Sequence, residues 1–570
     1  MKTNIIILTY NKLEYTQECI TSIRDFTRPG TYQIIVVDNC STDGTREWLA
    51  EQTDILTIFN DENVGFPKGC NQGIELTTSG DILLLNNDII VSPNWLDLLN
   101  ECLYSSEDIG AVGPNHNGEL AVSYKTVGEY LDFAQTHNQS DPSQWEHRLK
   151  LIGFCMLIKR EAVEKVGYLD ERFTPGNCED TDYSFRIIKT GYKIVYCKNV
   201  YIHHYGSVSF GEIPERYIKL LEVNRKKFLE KWGFHSVWNS RTRHDLITIM
   251  DRSKGQIRVL DIGCGCGATL LEIKNRFPDA QLFGVEPNVN AAAVASKIAD
   301  IQAINVEELN DQYPSDFFDY ILIENVLEKV ESPIEVLQKL KTLLKKDGQM
   351  IAGILNFENY GVLTSILNGT WIDSNNHNLF TLQKLAELFK TVGFNHIEYN
   401  RIESSLNNQE QRVKESLSGL VSSEREEILS ASELIIKAFI SKDSDLEQHL
   451  LGFSLNNKDG LKKIIELMNS GSIDENSIIN SVHKLDTNKV KLLNNLAVTF
   501  FKNSMFDHVV PLLNAALEMD EHNTDTLYNY AYILHTIGAD KEALFYLNFI
   551  ENPDQDILHL KNEIAKNISE

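Results

Sequence analysis

The 570-residue sequence contains no apolar run that approaches the roughly 20 residues needed to cross a membrane. Its first segment, MKTNIIILTYNK, has a short apolar run. Asn11 and Lys12 follow that run, where a secretory signal would have small residues before a cleavage site. We therefore expect a buried strand at the N-terminus, without a signal peptide or a membrane span.

Basic charge is also scarce. The chain has 54 Lys and Arg residues against 81 Asp and Glu residues, a formal net charge of -27. Part of the acidity is local, because the segment from Arg401 onward contains 16 basic residues and 27 acidic ones. Binding to nucleic acid needs a basic surface, so this composition argues against nucleic acid as a main partner.

Cysteine is confined to the first half of the chain. All nine cysteines precede residue 267, and they form neither a Cys-x-x-Cys pair nor a regular spacing. This pattern is typical of reduced thiols in a cytosolic protein rather than of a disulfide framework. The other composition is ordinary for a globular protein, and the length predicts about three to four domains.

Residues 1–235 alternate strand-like apolar runs with amphipathic helical stretches. The runs NIIILTY, QIIVVDN, LTIFN and DILLLNND are separated by stretches such as LEYTQECITSIRDF. This alternation predicts a parallel α/β sheet, in which ligands bind beyond the carboxyl ends of the strands. Polar residues stand at those ends: Thr9, Tyr10, Asn11, Asp38, Asn87 and Asp88.

These residue types suit a nucleotide. An aspartate such as Asp38, at the end of the second strand, can accept hydrogen bonds from a base or a ribose. The triplet Asn86-Asn87-Asp88 can hold Mg²⁺ or Mn²⁺ against a diphosphate, because these ions favour oxygen ligands. Glycines in NVGFPKGCNQGI, which begins at Asn63, permit close approach of the backbone to a ligand.

An acidic triplet marks the segment GNCEDTDYSFR. Glu179, Asp180 and Asp182 stand between a Gly-Asn turn and an aromatic apolar run. We expect these carboxylates at the start of a helix packed on the core, where the helix N-terminus favours negative charge. They could point into a cleft, or they could be ordinary surface acids that cap the helix; the local sequence favours neither.

Six segments of this region, in order, resemble the family 2 glycosyltransferases, which have the GT-A fold. They are IIILTYNKLEYTQECITSI, IIVVDNCSTDGT, NVGFPKGCNQGI, DILLLNNDIIVSPNWLDLL, IGAVGP and GNCEDTDYSFRIIKTGYKIVY. The resemblance is closest to the rhamnosyltransferase-like branch. It implies an inverting transfer from a nucleotide sugar, UDP- or dTDP-linked, assisted by Mg²⁺ or Mn²⁺.

The resemblance also implies roles for individual residues. Asp180 would be the general base, with Glu179 as its competitor, and Asp38 would bind the base or ribose. Asp88 would hold the metal, and His204 could add a contact to the metal or to a phosphate; the alternative is an ordinary core histidine. Further contacts to the nucleotide sugar are expected from the strand ends and the glycine-containing segment: Thr9, Tyr10, Asn11, Asn63, Gly65, Asn71 and Asn87.

A polar stretch over residues 236–253 is predicted to be a linker, and a second α/β pattern occupies residues 254–402. In IRVLDIGCGCGATLLEIKNRF an apolar strand ends at Asp261, a glycine loop follows, and a helix begins. The next strand, LFGVEPN, ends at Glu286. Glycines there allow close approach to a ligand, and an acid after the second strand can bind ribose hydroxyls, as in a dinucleotide site.

With FDYILIENVLEKVESP, LLKKDGQMIAGILN and FTLQKLAELFKTVGF, this segment resembles class I S-adenosylmethionine-dependent methyltransferases, which are Rossmann-like. The resemblance implies that Glu286 takes the ribose of S-adenosylmethionine and that Glu307 lies near its adenine. The methionine end would be lined by Asp261, Gly263, Gly265 and Gly267. An active methyltransferase and a cofactor-binding relic both remain open.

Strand signals disappear after residue 402, which predicts a helical linker over 403–455 and helical repeats over 456–570. LLNNLAVTFFKNSMFDHVVPLL aligns with TLYNYAYILHTIGADKEALFYL at an offset of 34 residues. That helix-turn-helix period is the period of tetratricopeptide repeats. The repeats could dock a protein partner, or they could serve packing or dimerisation.

Three domains therefore define the expected fold class: GT-A α/β, Rossmann-like α/β and all-α repeats. The leading hypothesis is a cytoplasmic enzyme that adds a sugar to a surface glycan or glycoprotein and methylates a sugar. One alternative is a scaffold whose domains bind ligands without turnover. Another is a methyltransferase whose N-terminal domain only binds glycan.

Overall fold

The computed structural model describes residues 2–117, 126–206, 214–250, 255–309, 312–370, 378–440, 442–455, 458–469 and 473–569. The chain forms two compact units. The first unit contains residues 1–388 and 399–437, and the second contains residues 389–398 and 438–570. No helix within the described ranges is both long and apolar enough to cross a membrane.

The strands, in chain order, are β1 (Thr3–Thr9), β2 (Tyr32–Asp38), β3 (Ile55–Phe59), β4 (Asp81–Asn86), β5 (Ile89–Ile90), β6 (Ile109–His116), β7 (Trp145–Arg148), β8 (Cys155–Ile158), β9 (Lys193–His204), β10 (Arg258–Ile262), β11 (Gln281–Val285), β12 (Asp300–Gln302), β13 (Phe318–Glu324), β14 (Leu344–Leu355), β15 (His396–Glu403) and β16 (Ala431–Phe439).

The helices are α1 (Leu13–Phe26), α2 (Thr45–Ala50), α3 (Phe66–Glu75), α4 (Trp95–Leu103), α5 (Val127–His137), α6 (Arg160–Val166), α7 (Glu179–Lys189), α8 (Pro214–Trp232), α9 (His244–Thr248), α10 (Ala268–Arg276), α11 (Val289–Ala295), α12 (Pro333–Leu343), α13 (Tyr360–Leu367), α14 (Leu382–Val392), α15 (Asn408–Leu417), α16 (Ser423–Ser430), α17 (Lys442–Ser454), α18 (Lys458–Asn469), α19 (Glu475–Lys484), α20 (Lys489–Lys502), α21 (Val509–Met519), α22 (Thr524–Thr536), α23 (Asp540–Leu547) and α24 (Gln555–Ser569).

The N-terminal sheet has the order β3-β2-β1-β4-β8-β6-β9-β5, with β7 paired to β9. The four strands predicted from the sequence, β1 to β4, are parallel to one another, while β8 runs antiparallel to β4. Strand β1 lies between β2 and β4, so chain connections leave it in opposite directions. Such a switch point opens a crevice at the carboxyl ends of the strands. In the register of this sheet Thr9 lies beside Asp38, and Leu8 lies beside Asn86.

The second sheet has the order β12-β11-β10-β13-β14-β16-β15. Strands β10, β11, β12, β13 and β14 are parallel where their pairings are described. This is the Rossmann-like α/β fold expected from the sequence. The first unit therefore combines the GT-A-like α/β fold with a Rossmann-like one, and the C-terminal region is helical.

The part of the predicted linker that the structure describes, residues 236–250, is not a free linker, and residues 251–253 lie outside the described residues. Leu246 and Ile247 of α9 are buried in the apolar core of the second sheet, and Arg243 is fully buried. The polar composition of the stretch wrongly suggested exposure to solvent. The buried side chain of Arg243 instead forms hydrogen bonds with the carboxylates of Asp245 and Glu324. Charged residues that neutralise one another can be buried, and a composition window does not reveal such pairs.

The helical prediction for 403–455 is wrong for residues 431–439, which form strand β16 inside the second sheet. Helices α15 and α16 precede it, as predicted. Seven of the nine residues of β16 are buried, including Ile435 and Ile436 on opposite faces, so the strand is buried on both faces. A run buried on both faces shows neither helical nor strand alternation, and its β-branched residues were the better signal.

The two α/β folds share one apolar cluster. Phe185, Trp232 and Phe234, from the first fold, pack in the same cluster as Cys266 and Ala268 of the glycine loop. Asn275 of α10 exchanges two hydrogen bonds with the backbone of His147 in β7, at 3.1 and 2.9 Å. The two folds of the first unit are therefore packed directly against each other.

The second unit contains consecutive helical hairpins. Helices α20 and α22 begin 35 residues apart, and each is followed by a second helix, α21 and α23 respectively. Gly538, with φ of 82°, lies between α22 and α23, and Ala543 is fully buried in α23. Asn494 donates to Thr526 at 2.7 Å, which joins the first hairpin to the second.

Candidate functional site

Asp38 ends β2 and is fully buried. Its Oδ2 accepts a hydrogen bond from the Ser41 backbone N–H at 3.2 Å and lies 3.3 Å from Nη1 of Arg46. Its Oδ1 is also buried but accepts no hydrogen bond from the described residues. An unpaired buried acceptor is costly, so Oδ1 is suited to a donor on a ligand, such as a base N–H or a ribose hydroxyl.

The end of β1 forms a polar corner beside Asp38. Thr9 and Thr16 share a hydrogen bond of 2.9 Å, and the Asn87 amide donates to Thr16 at 3.1 Å. The Asn11 Oδ1 accepts from the backbone N–H of Thr42, which ties the corner to the loop after β2. A cavity of about 680 Å³ opens here, lined by Tyr10, Asn11, Lys12, Leu13, Glu14, Tyr15, Thr42 and Asp43.

In the segment that begins at Asn63, the described contacts of Asn63, Gly65 and Asn71 are all with other residues of the protein and stabilise its conformation. Gly65 has φ of 85°, and a Cβ there would lie 2.7 Å from the Thr174 side chain. Asn63 is exposed and caps the Gly65 backbone N–H at 3.0 Å. Asn71 is buried, and its amide bridges the backbone of Leu169 and the side chain of Glu171. Roles of these residues in ligand binding remain predictions.

Asp88 and His204 lie together because β5 pairs antiparallel with the end of β9, with Ile89 opposite His204. Oδ1 of Asp88 is 3.3 Å from Nε2 of His204. Both residues are largely buried, and Nε2 makes no hydrogen bond to the residues that the structure describes. The ring of Phe154 stacks on the imidazole of His204 at 5.1 Å.

This pair fits a divalent cation. A carboxylate oxygen and an unpaired imidazole nitrogen are both accepted by Mn²⁺, and such ions complete their shell with waters and substrate phosphates. The described residues contain no group of three or more His, Cys, Asp or Glu side chains placed to hold a metal. A cation here would therefore take its remaining ligands from the diphosphate of a donor and from water.

The acidic triplet lies at the start of α7, as predicted, and the structure gives its members different surroundings. Asp182 is fully buried, its charge is balanced by Arg186 and Lys231, and it accepts a hydrogen bond from the indole N–H of Trp232. Its charge serves the packing of α7 on α8. Asp182 is therefore a structural acid, not a candidate for chemistry.

Glu179 is buried, and Oε2 of its carboxyl has no hydrogen-bond partner among the described residues. Burial, together with the neighbouring Asp180 charge, raises the pKa of Glu179 to about 8. Burial and the Asp180 charge therefore favour the protonated form of the Glu179 carboxyl. A protonated carboxyl is a poor general base and a good hydrogen-bond donor.

Asp180 is half-buried and lies next to a backbone donor outside its own helix. Its Oδ2 accepts from the Gly153 N–H at 3.1 Å, and its Oδ1 accepts from the Thr181 N–H at 2.6 Å. Gly153 is followed by Phe154, whose ring stacks on His204. Two consecutive residues thus connect the Asp180 carboxylate to the Asp88–His204 pair.

Sequence reasoning did not identify Gly153, Phe154 and Asn224 as parts of this site. Asn224 of α8 is fully buried, and its amide donates to the backbone carbonyls of Phe173 and Gly176, both at 2.8 Å. The turn that it holds places Asn177 and Cys178 at positive φ directly before α7. The available signal was an asparagine on the apolar side of a long amphipathic helix.

In the second sheet, Asp261 and Glu286 meet at the glycine loop. Oε2 of Glu286 accepts from the Gly265 N–H at 2.9 Å, and its Oε1 accepts from the Asn288 N–H at 2.8 Å. Gly263, Gly265 and Gly267 all have positive φ, and a Cβ on Gly265 would lie 2.6 Å from the Asn239 carbonyl. The loop therefore requires glycine for its own conformation and packing.

Asp261 is buried with its Oδ2 unpaired among the described residues. Burial and the nearby Glu324 carboxylate hold the pKa of Asp261 well above its usual range, and burial raises the pKa of Glu286. An unpaired acceptor at the end of β10 fits the ammonium group of a ligand. Glu307 is different: it is exposed and follows β12, and only its backbone carbonyl accepts a described hydrogen bond, from Lys339.

Comparisons with known proteins agree with two α/β folds in the first unit. Residues 4–167 match the family model for glycosyl transferase family 2, and residues 235–399 match a methyltransferase domain. The chain contains a family 2 glycosyltransferase domain and a methyltransferase domain. It is accordingly a transferase.

Individual relatives each cover one part of the chain. The low-salt glycan biosynthesis hexosyltransferase Agl10 of Haloferax volcanii is 25% identical over 268 residues, which is 45% of this chain and 84% of Agl10. A ubiquinone biosynthesis O-methyltransferase of Bradyrhizobium diazoefficiens is 36% identical over 109 residues, which is 18% of this chain and 41% of the relative. A mannosyltransferase from Pyrobaculum calidifontis, solved with GDP-Man and Mn2+, is 19% identical with a TM-score of 0.32, covering 40% of this chain and 64% of its own.

Proposed function

We propose that the N-terminal domain is an inverting glycosyltransferase that moves a hexosyl group from a UDP- or dTDP-linked donor to a hydroxyl of a surface glycan or glycoprotein. One observation carries the proposal. Gly153 donates to the Asp180 carboxylate, and the ring of the next residue, Phe154, stacks on His204 of the Asp88–His204 pair, which supports a base and a cation site held by one segment. Asp38 offers an unpaired buried acceptor for the nucleoside at the same edge of the sheet.

In the proposed reaction the acceptor oxygen attacks the anomeric carbon from the side opposite the diphosphate. Asp180 takes the hydroxyl proton as the new C–O bond forms, and the diphosphate oxygen leaves with the electron pair of the broken bond. Glu179 keeps its proton and offers a hydrogen bond to the sugar. A cation bound at Asp88 and His204 would neutralise the leaving diphosphate.

The first test is donor hydrolysis by the purified full chain, with UDP- and dTDP-linked sugars and Mn²⁺ or Mg²⁺. We expect release of a nucleoside diphosphate from one donor, and we expect the Asp88→Ala variant to lose it. Absence of hydrolysis with every donor, beside clear binding of S-adenosylmethionine, would favour the alternative of a methyltransferase whose N-terminal domain only binds glycan. Binding of both ligands without turnover would favour a scaffold.

We further propose that the second domain transfers the methyl group of S-adenosylmethionine to a sugar hydroxyl. The unpaired Oδ2 of Asp261 and the Glu286 carboxylate at the glycine loop support binding of an ammonium and of ribose hydroxyls. Two activities on one chain raise the effective concentration of a shared intermediate, so the sugar just added is the proposed acceptor. Supplying methyl-labelled cofactor after sugar transfer should label the new sugar, and labelling of an unrelated acceptor alone would contradict this.

The domain limits 1–235 and 456–570 remain part of the proposal, as does a tetratricopeptide-like role for the second of them. The second α/β fold extends beyond the predicted limits 254–402, because α9 lies in its core and β16 belongs to its sheet. The helical hairpins support such a role, and aromatic side chains are exposed on them, among them Phe506, Tyr532 and Phe545. We propose that these exposed side chains dock a protein partner, the glycoprotein acceptor. Substituting Tyr532→Ser and Phe545→Ser together should weaken capture of a glycoprotein acceptor without changing hydrolysis of the donor.

We place the reaction in the cytoplasm. The nine cysteines are free thiols, and seven of them are buried in the core. Free buried thiols are typical of a reducing compartment. Fractionation of the cells that make the protein would test the location.

A further inference from the structure

A cavity of about 350 Å³ lies in the first unit, where the C-terminal ends of three helices meet. Helices α6, α7 and α8 contribute four cationic residues to its wall, and α11 of the second α/β fold contributes Asn290. The four cations are Lys165, Arg186, Lys189 and Lys231. None of these residues belongs to either candidate site, and the chain as a whole is strongly acidic.

Two carboxylates near the cavity, those of Asp170 and Asp182, form ion pairs with only some of these cations. Nζ of Lys231 lies 2.7 Å from Asp170 and 2.5 Å from Asp182. Nε of Arg186 donates to Asp182 at 2.9 Å, and its Nη1 donates to the Val166 carbonyl. Lys231 and the Nε and Nη1 groups of Arg186 are therefore already paired.

The rest of the charge has no anionic partner within the part of the chain that the structure describes. Nη2 of Arg186 is buried and makes no hydrogen bond. Nζ of Lys165 lies over the Tyr192 ring at 4.5 Å, and Nζ of Lys189 lies over the Trp232 ring at 5.3 Å. Aromatic faces attract these ammonium groups, but they offer no oxygen to accept the N–H donors.

We propose that this cavity binds the phosphate or diphosphate group of a small anionic ligand through Lys165, Arg186 and Lys189. Nη2 of Arg186 can donate to a phosphate oxygen, and the flanking lysines add point charges. The volume is within the range of small-molecule pockets. Trp232 is buried, and Lys189 lies over its ring, so the wall offers no exposed aromatic face on which a nucleobase could stack.

Helix C-termini provide a competing explanation for the lysines. The carbonyl ends of helices carry partial negative charge, and a lysine in the last turn stabilises them. That effect accounts for one cation at each helix end. It does not account for the buried Nη2 of Arg186, which has no acceptor and which a bound anion would satisfy.

The test is calorimetric titration of the full chain with inorganic phosphate and with pyrophosphate, at constant ionic strength in chloride. EDTA is present, so that no cation can recruit pyrophosphate to Asp88. We expect saturable binding that the double variant Lys165→Gln, Lys189→Gln weakens at least about tenfold, since two charged donors are lost. The double variant Lys165→Arg, Lys189→Arg should keep the affinity.

Lys226→Gln provides the matched control. Lys226 is an exposed lysine on α8 that does not line the cavity, so its loss should leave binding unchanged. Absence of binding by the natural chain, or equal affinity in the double Gln variant, would overturn the proposal. A lower melting temperature of the double Gln variant with unchanged affinity would assign the lysines to the helix ends instead.

Discussion

The ring of Phe154 stacks on the imidazole of His204, with centroids 5.1 Å apart and planes 12° from parallel. The stacking fixes the plane of a histidine whose Nε2 lies 3.3 Å from the Asp88 carboxylate. Phe154 follows Gly153, the residue that donates to Asp180. Orientation of the cation site and orientation of the proposed base therefore depend on one short segment before β8.

The first prediction concerns the cation. His204→Gln should raise the Mn²⁺ concentration needed for half-maximal donor hydrolysis about tenfold or more, because one of two protein ligands is changed and losses near metal sites are of this size. The measurement is a Mn²⁺ titration of hydrolysis at fixed donor.

The adjacent histidine is the matched control. His203 points away from Asp88, with its ring stacked on Tyr130 at 4.6 Å. His203→Gln should leave the Mn²⁺ titration unchanged. Equal shifts in the two variants would show that the effect is on folding and not on the cation.

A second prediction separates the two candidate bases. Asp180→Asn should lower turnover of sugar transfer by about 10²–10⁴-fold, the usual range for loss of a general base, with little change in the KM of the donor. The single amide oxygen of asparagine can still accept from the Gly153 N–H, with loss of the bond that Oδ1 accepts from the Thr181 N–H, so the loop before β8 should stay in place. Glu179→Gln, which mimics the protonated carboxyl, should keep most of the activity.

The opposite pattern would assign the base to Glu179. In that case Glu179→Gln would be inactive and Asp180→Asn active. A fall in both variants would indicate that the two carboxyls act as one unit, as closely coupled acids can.

The pKa of Glu179 gives a third prediction, on stability. Its pKa is raised in the folded state to about 8, from an ordinary value of 4.5, so the folded state binds the proton more tightly than the unfolded state. Between those two values the unfolded chain releases the proton first. The contribution of Glu179 to the free energy of unfolding therefore falls as pH rises, and the loss is complete above the folded pKa.

Comparing the melting temperatures of the natural chain and Glu179→Gln from pH 5 to pH 9 tests this prediction. The variant cannot ionise at this position. The melting temperature of the variant minus that of the natural chain should therefore rise from pH 5 to about pH 8 and stay constant above it. A constant difference would mean that Glu179 titrates at its ordinary value.

Site residues at the ends of strands could be predicted from the sequence. Residues that hold those site residues in position through hydrogen bonds could not. Asp38, Asp88 and Glu286 stand where an apolar run stops, and the parallel sheets bring them to the expected edges. No local sequence pattern identifies Gly153 and Asn224, because their hydrogen-bond partners lie 27 to 51 residues away in the chain. Only the tertiary packing shows what they bind.

The same reasoning explains the errors around the second sheet. Arg243 made its segment look like a solvated linker, although Asp245, Glu324 and Glu433 surround it in the fold. The acids that pair with a buried cation can come from distant strands. Local composition therefore misclassified a core segment, while the glycine loop was correctly located because its signal is contiguous.

A fourth prediction concerns Asn224, the helix residue that holds the turn before α7. Asn224→Ala leaves at least two backbone carbonyls without their donor, at a cost of about 1–3 kcal/mol for such buried groups. Hydrogen exchange of residues 173–178 should speed up, and turnover should fall because Glu179 and Asp180 follow that turn. Lys226→Ala, on the exposed side of the same helix, should change neither measurement. Unchanged exchange with lost turnover would mean that Asn224 contacts the substrate instead.

A final prediction tests the cofactor site without any turnover. Asp261→Asn should weaken binding of S-adenosylmethionine, measured by calorimetry, by about tenfold or more, because a bound ammonium group would favour the ionised form of Asp261 and an amide cannot replace that carboxylate. Glu307→Gln is the comparison, since Glu307 is exposed and makes no described side-chain contact with the glycine loop. We expect its effect to be less than about threefold, the order expected of an exposed charge. If Glu307→Gln weakened binding as strongly as Asp261→Asn, the adenine would lie over the loop after β12, and the role that the sequence suggested for Glu307 would be supported.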